Sequence, residues 1–382
     1  MSEQKMIPSF DLSRNHQRVK EEVKVAIDRV LETQGFILGP EVDTLEKEIA
    51  AYLEVENAVG CASGTDALIL AMMSLDLKEG DEVITTPFTF FATASCITRT
   101  GAKLVFADVD PETYNMTTES VLEKITPKTK AVIVVHLFGQ MCRIEELKEE
   151  LAKRNIKLIE DCAQAIGAHR MIDGKIYRAG AVGDIGCFSF FPTKNLGCYG
   201  DGGMVSIPHD SKRAARIKSL RVHGSGKTYY HDEVGINSRL DAIQAAILRV
   251  RLRHLEEWNE ERRLVAERYR LLFGEKGLLD VVTPPAEDAG NRHVYHQYVV
   301  RVKDRDELQK FLDERGIVTR VYYPLPLHLQ DCFSSAGYKK GDFPVSEMLS
   351  DEVLALPIFP ELLPEEQERV VKEIAAFYAG RK

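Results

Sequence analysis

The sequence predicts an α/β fold, in which a mostly parallel sheet carries helices on both faces and a smaller α+β domain follows towards the C-terminus. Three observations indicate this class. Short apolar runs alternate with amphipathic helical stretches from about residue 58 to residue 220. A long helical segment and a proline-containing linker then interrupt the alternation. Beyond the linker, the pattern predicts a strand, a helix, a strand and a last helix.

The chain begins with helical patterns before the alternation starts. Residues 16–33 place apolar side chains at helical spacing, Gly39-Pro40 breaks the pattern, and residues 41–53 resume it. Strands are then predicted at 82–86, 103–108, 131–136, 157–161, 185–191 and 203–207. Helical stretches separate them at 65–75, 91–100, 144–154 and 211–220. This order is typical of a mostly parallel sheet covered by helices.

The second part of the chain is predicted to form the smaller domain. Residues 238–273 have the pattern of one long helix, opened by a capping box at Ser238-Arg239-Leu240-Asp241. Pro284-Pro285 and the polar run to residue 292 indicate a linker. The elements beyond it are predicted at 296–302, 304–315, 318–322 and 364–378. We therefore expect a large domain over residues 1–250 and a small domain over residues 251–382.

The amino-acid composition argues against several classes of protein. The 382 residues are 44% hydrophobic and 29% charged, which is ordinary for a globular enzyme. A net charge of −9 without a basic run argues against a nucleic-acid binder. The seven scattered cysteines contain no C-x-x-C pair, which disfavours a disulfide framework and a zinc site. No apolar leader or membrane-length apolar run is visible, so we expect a cytoplasmic protein without a metal.

A single lysine marks the most informative stretch, residues 184–203. Lys194 lies between an apolar run that ends at Phe191 and a loop rich in glycine. Burying an ammonium group is costly unless the group is paired or neutralised. A lysine held there can release its amine as a nucleophile, as Schiff-base chemistry requires. The alternative is a surface lysine at the end of a strand. The other motifs of the chain are needed to choose between the two interpretations.

Three further motifs follow predicted strands, where open α/β sheets bind their ligands. Ser63-Gly64-Thr65 either caps a helix or offers backbone N–H groups to a phosphate. Asp161 either caps the next helix or keeps a heterocyclic nitrogen protonated. Phe90 lies in an aromatic turn that belongs to the core or stacks on a flat cofactor. Together with Lys194, these motifs form the set that pyridoxal phosphate requires.

The order of the motifs resembles the DegT/DnrJ/EryC1/StrS family of nucleotide-sugar aminotransferases. The resemblance rests on Ser63-Gly64-Thr65, Pro87-Phe88-Thr89-Phe90, Glu160-Asp161-Cys162-Ala163-Gln164, the segment 188–197 and the segment 235–241. It implies the type I (aspartate aminotransferase) fold, pyridoxal 5′-phosphate as cofactor, and a homodimer with shared active sites. Gly200-Asp201-Gly202-Gly203 and Tyr229-Tyr230-His231 are similar to members that act on UDP-linked 3-keto-2-acetamido sugars or their uronic acids.

The resemblance also implies roles around the cofactor. Lys194 is expected to form the Schiff base, Asp161 to contact the pyridine nitrogen, and Gln164 to lie near the ring or its 3-hydroxyl. Phe90 is expected to stack on the ring, at a position where other members often have tryptophan or tyrosine. The phosphate is expected to contact Gly64, Thr65 and Ser189.

Roles towards the partner subunit and the substrate are implied in the same way. Asn237 is expected to reach the phosphate held by the neighbouring subunit. Arg239 is expected to bind a carboxylate of the amino donor or the sugar, although it also fits an ordinary first-turn helix residue. Tyr322, Tyr323 and His328 resemble a loop that closes over the sugar, although their proline context fits a rigid loop equally well.

The resemblance predicts transfer of the amino group of L-glutamate to a nucleotide-linked ketosugar. One branch of the family has histidine in place of the lysine and dehydrates its substrate, so Lys194 favours amino transfer. The alternatives are a sugar dehydratase or decarboxylase with the same cofactor, a dTDP-linked 4-keto-sugar aminotransferase, and a non-catalytic regulator. The acidic charge and the lack of a spare DNA-binding segment disfavour the regulator. The sequence leaves the nucleotide, the aminated carbon and the oxidation state of C6 open.

Overall fold

The computed structural model describes residues 6–227 and 229–381 and confirms the predicted α/β class. The helices are α1 (Leu12–Thr33), α2 (Pro40–Leu53), α3 (Gly64–Met73), α4 (Phe91–Arg99), α5 (Thr118–Leu122), α6 (Glu145–Lys153), α7 (Ser211–Leu220), α8 (Ala242–Leu252), α9 (Leu255–Glu275), α10 (Arg305–Asp313), α11 (Pro344–Glu352) and α12 (Pro364–Ala379). The strands are β1 (Asn57–Cys61), β2 (Glu82–Thr85), β3 (Lys103–Phe106), β4 (Thr129–Val135), β5 (Lys157–Asp161), β6 (His169–Ile172), β7 (Lys175–Arg178), β8 (Ile185–Ser189), β9 (Gly203–Ile207), β10 (Ser225–Lys227), β11 (Tyr230–His231), β12 (Val282–Thr283), β13 (Asn291–Arg292), β14 (Tyr298–Val302) and β15 (Val353–Leu356).

The main sheet has seven strands in the order β1-β9-β8-β5-β4-β2-β3. Strands β3, β2, β4, β5 and β8 pair in parallel, whereas β9 is antiparallel to both of its neighbours. The carboxyl ends of the parallel strands therefore meet at one edge of the sheet, where ligands bind in open α/β folds. The ends of β5 and β8 carry Asp161 and Ser189 to that edge.

Helices cover both faces of this sheet. In β4, Val132 and Val134 pack in the apolar cluster that also contains residues of α2, α6 and α8. The alternate residues Ala131 and Ile133 pack in a second cluster with residues of α3, α4 and α7. Because successive strand residues face opposite sides, this division shows three layers, with the sheet in the middle.

A smaller antiparallel sheet, β12-β14-β15, forms towards the C-terminus. Its apolar cluster includes Tyr269 of α9, Tyr298 of β14 and Val370 of α12. Helices and antiparallel strands thus build the predicted α+β part, while the division at residue 250 stays a prediction. Across residues 6–227 and 229–381, no helix has both the length and the apolar character needed to cross a membrane.

Two predicted elements are wrong. The helix predicted over 238–273 is two helices, because α8 ends at Leu252 and α9 begins at Leu255. The capping box that was to open it is also absent. The Ser238 hydroxyl instead donates to the Asp66 carboxylate at 2.7 Å and accepts from the Ala62 N–H at 3.1 Å. The predicted strand 318–322 is an irregular segment with one isolated bridge, between Arg320 and Ala355.

Candidate active site

The lysine loop, residues 190–198, follows β8 at the ligand-binding edge of the sheet. Lys194 lies in a turn in which its N–H donates to the carbonyl of Phe191 at 2.8 Å. Burial lowers the pKa of Lys194 to about 8, and the neighbouring Asp161 carboxylate acts in the opposite direction. In the described part of the chain, no carboxylate lies within ion-pair distance of the Lys194 ammonium. A larger fraction of the amine is therefore neutral near pH 8 than in an ordinary lysine.

Asp161 ends β5 and is buried beside the lysine loop. Its carboxylate accepts a hydrogen bond from the Thr93 hydroxyl at 2.8 Å and from the Ala163 N–H at 3.1 Å. Burial raises the pKa of Asp161, and the hydrogen bond from Thr93 opposes that shift. The sequence analysis missed Thr93, because a threonine within an apolar helix carries no motif of its own. The paired effects leave Asp161 able to act as a hydrogen-bond partner of a protonated ring nitrogen.

A buried hydrogen-bond network fixes Glu160, the residue of β5 that precedes Asp161. Glu160 is fully buried and contacts Nε2 of His136 at 2.8 Å. The Cys142 N–H donates to His136 Nδ1, so the histidine proton lies on Nε2 and points to Glu160. Glu160 also accepts from the backbone N–H groups of Gly180, Val182 and Gly183. His136, Glu160 and Cys162 are close enough to ligate a metal, but these hydrogen bonds already occupy the histidine and glutamate.

Gly64, Thr65 and Ser189, the residues predicted to hold the phosphate and called here the phosphate cradle, lie where the start of α3 meets the end of β8. Ser63 caps α3, accepting from the Asp66 N–H at 3.1 Å. A Cβ on Gly64 would approach the Ser189 Cβ to 2.6 Å, so only glycine permits this close contact. The first backbone N–H groups of a helix and a hydroxyl side chain suit a phosphate. The structure thus brings together the three residues predicted for this role.

Two residues predicted to lie against the cofactor ring, Phe90 and Gln164, differ in exposure. Phe90 precedes α4 and is 58% exposed, which leaves its ring open to a flat ligand. The Gln164 amide donates to the Tyr323 hydroxyl at 3.2 Å and accepts from the Phe138 N–H at 2.6 Å. Tyr323 also packs edge-on against Phe88. A direct hydrogen bond therefore joins Tyr323 to Gln164, which follows Asp161 by three residues.

The predicted substrate residues His328 and Tyr322 differ in exposure. His328 is only 2% exposed; its Nε2 contacts Glu347 at 3.0 Å and its ring packs against Phe343. The contact of His328 with the sugar therefore stays a prediction, and in this structure the imidazole is held by Glu347 and Phe343. Tyr322 is half-buried and lines a small cavity with Thr193.

Asn237 and Arg239 lie on the segment that Ser238 ties to α3. The backbone of Asn237 forms a bridge with Val222, and its side chain is exposed. Arg239 is half-buried, and within the described chain it makes no ion pair. Both residues are therefore available to a ligand or a second subunit.

Comparisons with known proteins establish the family. The chain belongs to the DegT/DnrJ/EryC1/StrS aminotransferase family, whose sequence profile matches residues 17–375. It is 49% identical to the "Pleiotropic regulatory protein" of Geobacillus stearothermophilus, with 97% of this chain and 98% of that protein covered. It is 44% identical to the "UDP-N-acetyl-3-dehydro-alpha-D-glucosamine 3-aminotransferase" of Acidithiobacillus ferrooxidans, with 98% of each covered. It is 40% identical to the "dTDP-3-amino-3,4,6-trideoxy-alpha-D-glucose transaminase" of Streptomyces venezuelae, covering 96% of this chain and 95% of that one.

The fold agrees with solved structures of this family. The crystal structure of S. venezuelae DesV, solved in complex with a ketimine intermediate, superposes with a TM-score of 0.93 at 37% identity. The match covers 98% of this chain and 99% of DesV. The chain is a pyridoxal-phosphate-dependent aminotransferase. Its residues fit the cofactor: a lysine with a lowered pKa, a buried carboxylate and a phosphate cradle that only a glycine allows.

Proposed function

We propose that this nucleotide-sugar aminotransferase moves the amino group of L-glutamate to C3 of a UDP-linked 3-keto-2-acetamido sugar or its uronic acid. The observation that carries the proposal is that Lys194, whose pKa burial lowers, lies close enough to the buried Asp161 carboxylate for the two to interact electrostatically. The 44% identical UDP-sugar relative supports this substrate class. The 40% identical dTDP-sugar relative supports the second candidate, a dTDP-linked ketosugar.

Each of the predicted site residues has a separate role in amino transfer. When bound, pyridoxal phosphate supplies an aldehyde carbon for Schiff-base formation and a ring that accepts electrons. The Lys194 amine, once free and neutral, removes the proton from the α-carbon of glutamate and delivers it to C4′. Asp161 keeps the pyridine nitrogen protonated, and Phe90 covers one face of the ring. Gly64, Thr65 and Ser189 would hold the phosphate and so keep the bound cofactor within reach of Lys194.

A homodimer completes the proposed site. Asn237 of one subunit would reach the phosphate held by the other, which its exposed side chain permits. The neighbouring segment exposes large apolar side chains, with Tyr229 and Val234 each 91% exposed. Apolar groups exposed in this number next to a binding site are typical of a surface that another protein covers.

The test is the visible absorption spectrum of the purified holoenzyme before and after addition of L-glutamate. A cofactor band that fades with glutamate, and returns on addition of a UDP-linked 3-ketosugar, supports the proposal. Return of the band only with a dTDP-linked ketosugar selects the second candidate. A band that glutamate leaves unchanged contradicts amino transfer from glutamate, and favours the dehydratase or the regulator.

The matched variant is Lys194→Ala. It is expected to bind the cofactor without the covalent link and to lose turnover, because no other lysine is predicted at the carbon that reacts. Full activity in Lys194→Ala would contradict the assignment of this residue.

A further inference from the structure

A small cavity adjoins the lysine loop on the side of Tyr322. Its volume is about 50 Å³. Its lining includes Phe10, Thr193, His296 and Gln297, together with two arginines, Arg262 and Arg320. A single water needs about 10–15 Å³ of such space, so the cavity accommodates a group of the size of a carboxylate but not a nucleotide.

The cavity is positively charged. Two arginines line it, and no aspartate or glutamate does. Arg262 is buried, and its Nη1 donates to the carbonyls of Tyr295, His296 and Ile358 at 3.2–3.4 Å. Its Nε has no hydrogen-bond partner within the described residues. Burial lowers the pKa of Arg262 to about 10, so the guanidinium remains charged at neutral pH.

Glu361 is the carboxylate that raises the pKa of Arg262, but no ion pair joins the two side chains within the described residues. The Glu361 Oε1 accepts from Asn15 at 2.9 Å and from Arg18 at 3.2 Å, and its Oε2 is buried without a hydrogen-bond partner there. Glu361 also lies outside the lining of the cavity. The charge of Arg262 towards the cavity is therefore not neutralised by a direct ion pair.

Arg320 supplies the second charge from a fixed backbone position. Its N–H donates to the Ala355 carbonyl at 3.1 Å, and the Ala355 N–H donates back at 2.7 Å. Its side chain is exposed. Over residues 6–227 and 229–381 its guanidinium forms neither an ion pair nor a side-chain hydrogen bond, whereas neighbouring Arg315 pairs with Glu373. Because the net charge of −9 does not attract anions to the protein as a whole, an anion bound here would depend on local positive charge, and the unpaired guanidinium of Arg320 supplies it.

The cavity is connected to the reacting groups from two sides. Thr193, which lines it, directly precedes Lys194. Tyr322, which also lines it, packs against Tyr323, whose hydroxyl accepts from Gln164. A group bound in the cavity would thus lie beside both the lysine loop and the predicted ring-binding residues.

We propose that Arg320, with the fixed charge of Arg262 behind it, binds a carboxylate of the substrate. The guanidinium fork of arginine matches a carboxylate with two parallel hydrogen bonds, and charge-assisted bonds of this kind are the strong ones. The assignment rests on the proposed function for the source of the carboxylate, which is either glutamate or a sugar uronic acid. It makes Arg320 a specificity-determining residue in addition to Arg239.

The test measures binding to the holoenzyme by calorimetry with probes that cannot react. Glutarate and its neutral counterpart glutaramide report on the donor carboxylate, and UDP-glucuronate and UDP-glucose report on the sugar carboxylate. Arg320→Gln is expected to weaken binding of a carboxylate probe by about 10- to 100-fold and to leave the neutral counterpart unchanged. Arg320→Lys is expected to retain part of the affinity. Arg29→Gln, which removes an exposed arginine from α1, is expected to bind every probe as the wild type does.

The outcomes show whether the carboxylate comes from the amino donor or from the sugar. They also distinguish failure of the carboxylate site from failure of the proposed substrate. Loss confined to glutarate assigns the carboxylate to the amino donor, and loss confined to UDP-glucuronate assigns it to the sugar. Wild-type affinity of Arg320→Gln for both carboxylate probes overturns the inference, as does a wild-type enzyme that binds neither probe better than its neutral counterpart. If the glutarate effect is found but no UDP-linked ketosugar is aminated, the proposed substrate is wrong while the carboxylate site stands.

Discussion

Two opposing effects set the reactivity of the amine at Lys194. Burial favours the neutral form and lowers the pKa, and the Asp161 carboxylate favours the charged form and raises it. Burial is the larger effect, so the pKa falls to about 8. An amine with this pKa is a nucleophile near neutral pH, while it can still carry a proton during turnover.

The first prediction concerns the pH at which this amine reacts. When pyridoxal phosphate is added to cofactor-free protein, the rate at which the visible band forms should rise through a midpoint near pH 8, because only the neutral amine attacks the aldehyde. Asp161→Asn removes the charge that raises the pKa, so its midpoint should lie below that of the wild type. Stopped-flow absorbance over a pH series measures both. A wild-type midpoint near 10.5, the ordinary lysine value, would show that Lys194 is not buried as described.

The sequence identifies some residues of the site and misses others for a physical reason. Lys194 and Asp161 follow apolar strands, and a charged group in that position needs an explanation beyond packing. Thr93 carries no such signal, because its hydroxyl becomes relevant only when α4 packs beside β5. The contact between His328 and Glu347 could not be predicted either, because it depends on the fold and the proline-rich context of His328 does not indicate it.

At the scale of elements, the start of α3 depends on its contact with β8. Gly64 lies so close to Ser189 that any side chain there must displace strand backbone or the helix start. The same contact places the side chain of Ser189 beside Gly64, the first residue of α3. The phosphate cradle is therefore a property of how these two elements pack, and the Ser-Gly-Thr motif alone does not create it.

The second prediction tests that contact. Gly64→Ala should destabilise the protein by about 1–3 kcal/mol through overpacking, and should weaken cofactor binding because the helix start moves. Gly274→Ala is the matched control, because no atom outside its own helix lies within 4 Å of the added methyl. That variant should be more stable by about 0.4–1 kcal/mol, with unchanged cofactor affinity. Urea unfolding and cofactor titration measure the two effects, and equal behaviour of the variants would contradict the role of Gly64.

Helices and strands whose sequences show a strong hydrophobic periodicity are predicted well. Elements whose ends are set by tertiary contacts are predicted poorly. The main-sheet strands predicted from 82 onwards all occur, because alternating burial imposes a pattern on their sequences. The helix predicted over 238–273 fails at both its start and its middle. Ser238 has the sequence of a cap, but Asp66 of α3 takes its hydroxyl, and this partner lies 172 residues away. Local sequence cannot distinguish the two uses of one serine.

At the scale of the whole molecule, the single chain leaves its site open. Phe90 and Phe191 are exposed at the ligand-binding edge, and Tyr229 and Val234 are almost fully exposed beside Asn237. Burying such groups against a second copy would be favourable, because apolar area is removed from water. Alternation of strands and helices is enough to predict the fold class of one chain. The same alternation gives no information on a second subunit. The homodimer is expected only from the family resemblance.

The third prediction decides whether the subunits share their active sites. Lys194→Ala removes the reacting amine, and Asn237→Asp places a carboxylate against the phosphate, so each variant alone should be inactive. In a mixed dimer with shared sites, one site carries both substitutions and the other carries neither. Co-expression with two different affinity tags, followed by purification on both, isolates that mixed dimer, which should show about half of the wild-type activity. If Asn237 instead serves its own subunit, each site of the mixed dimer carries one substitution. No activity then returns, and the shared site is contradicted even if the protein is a dimer.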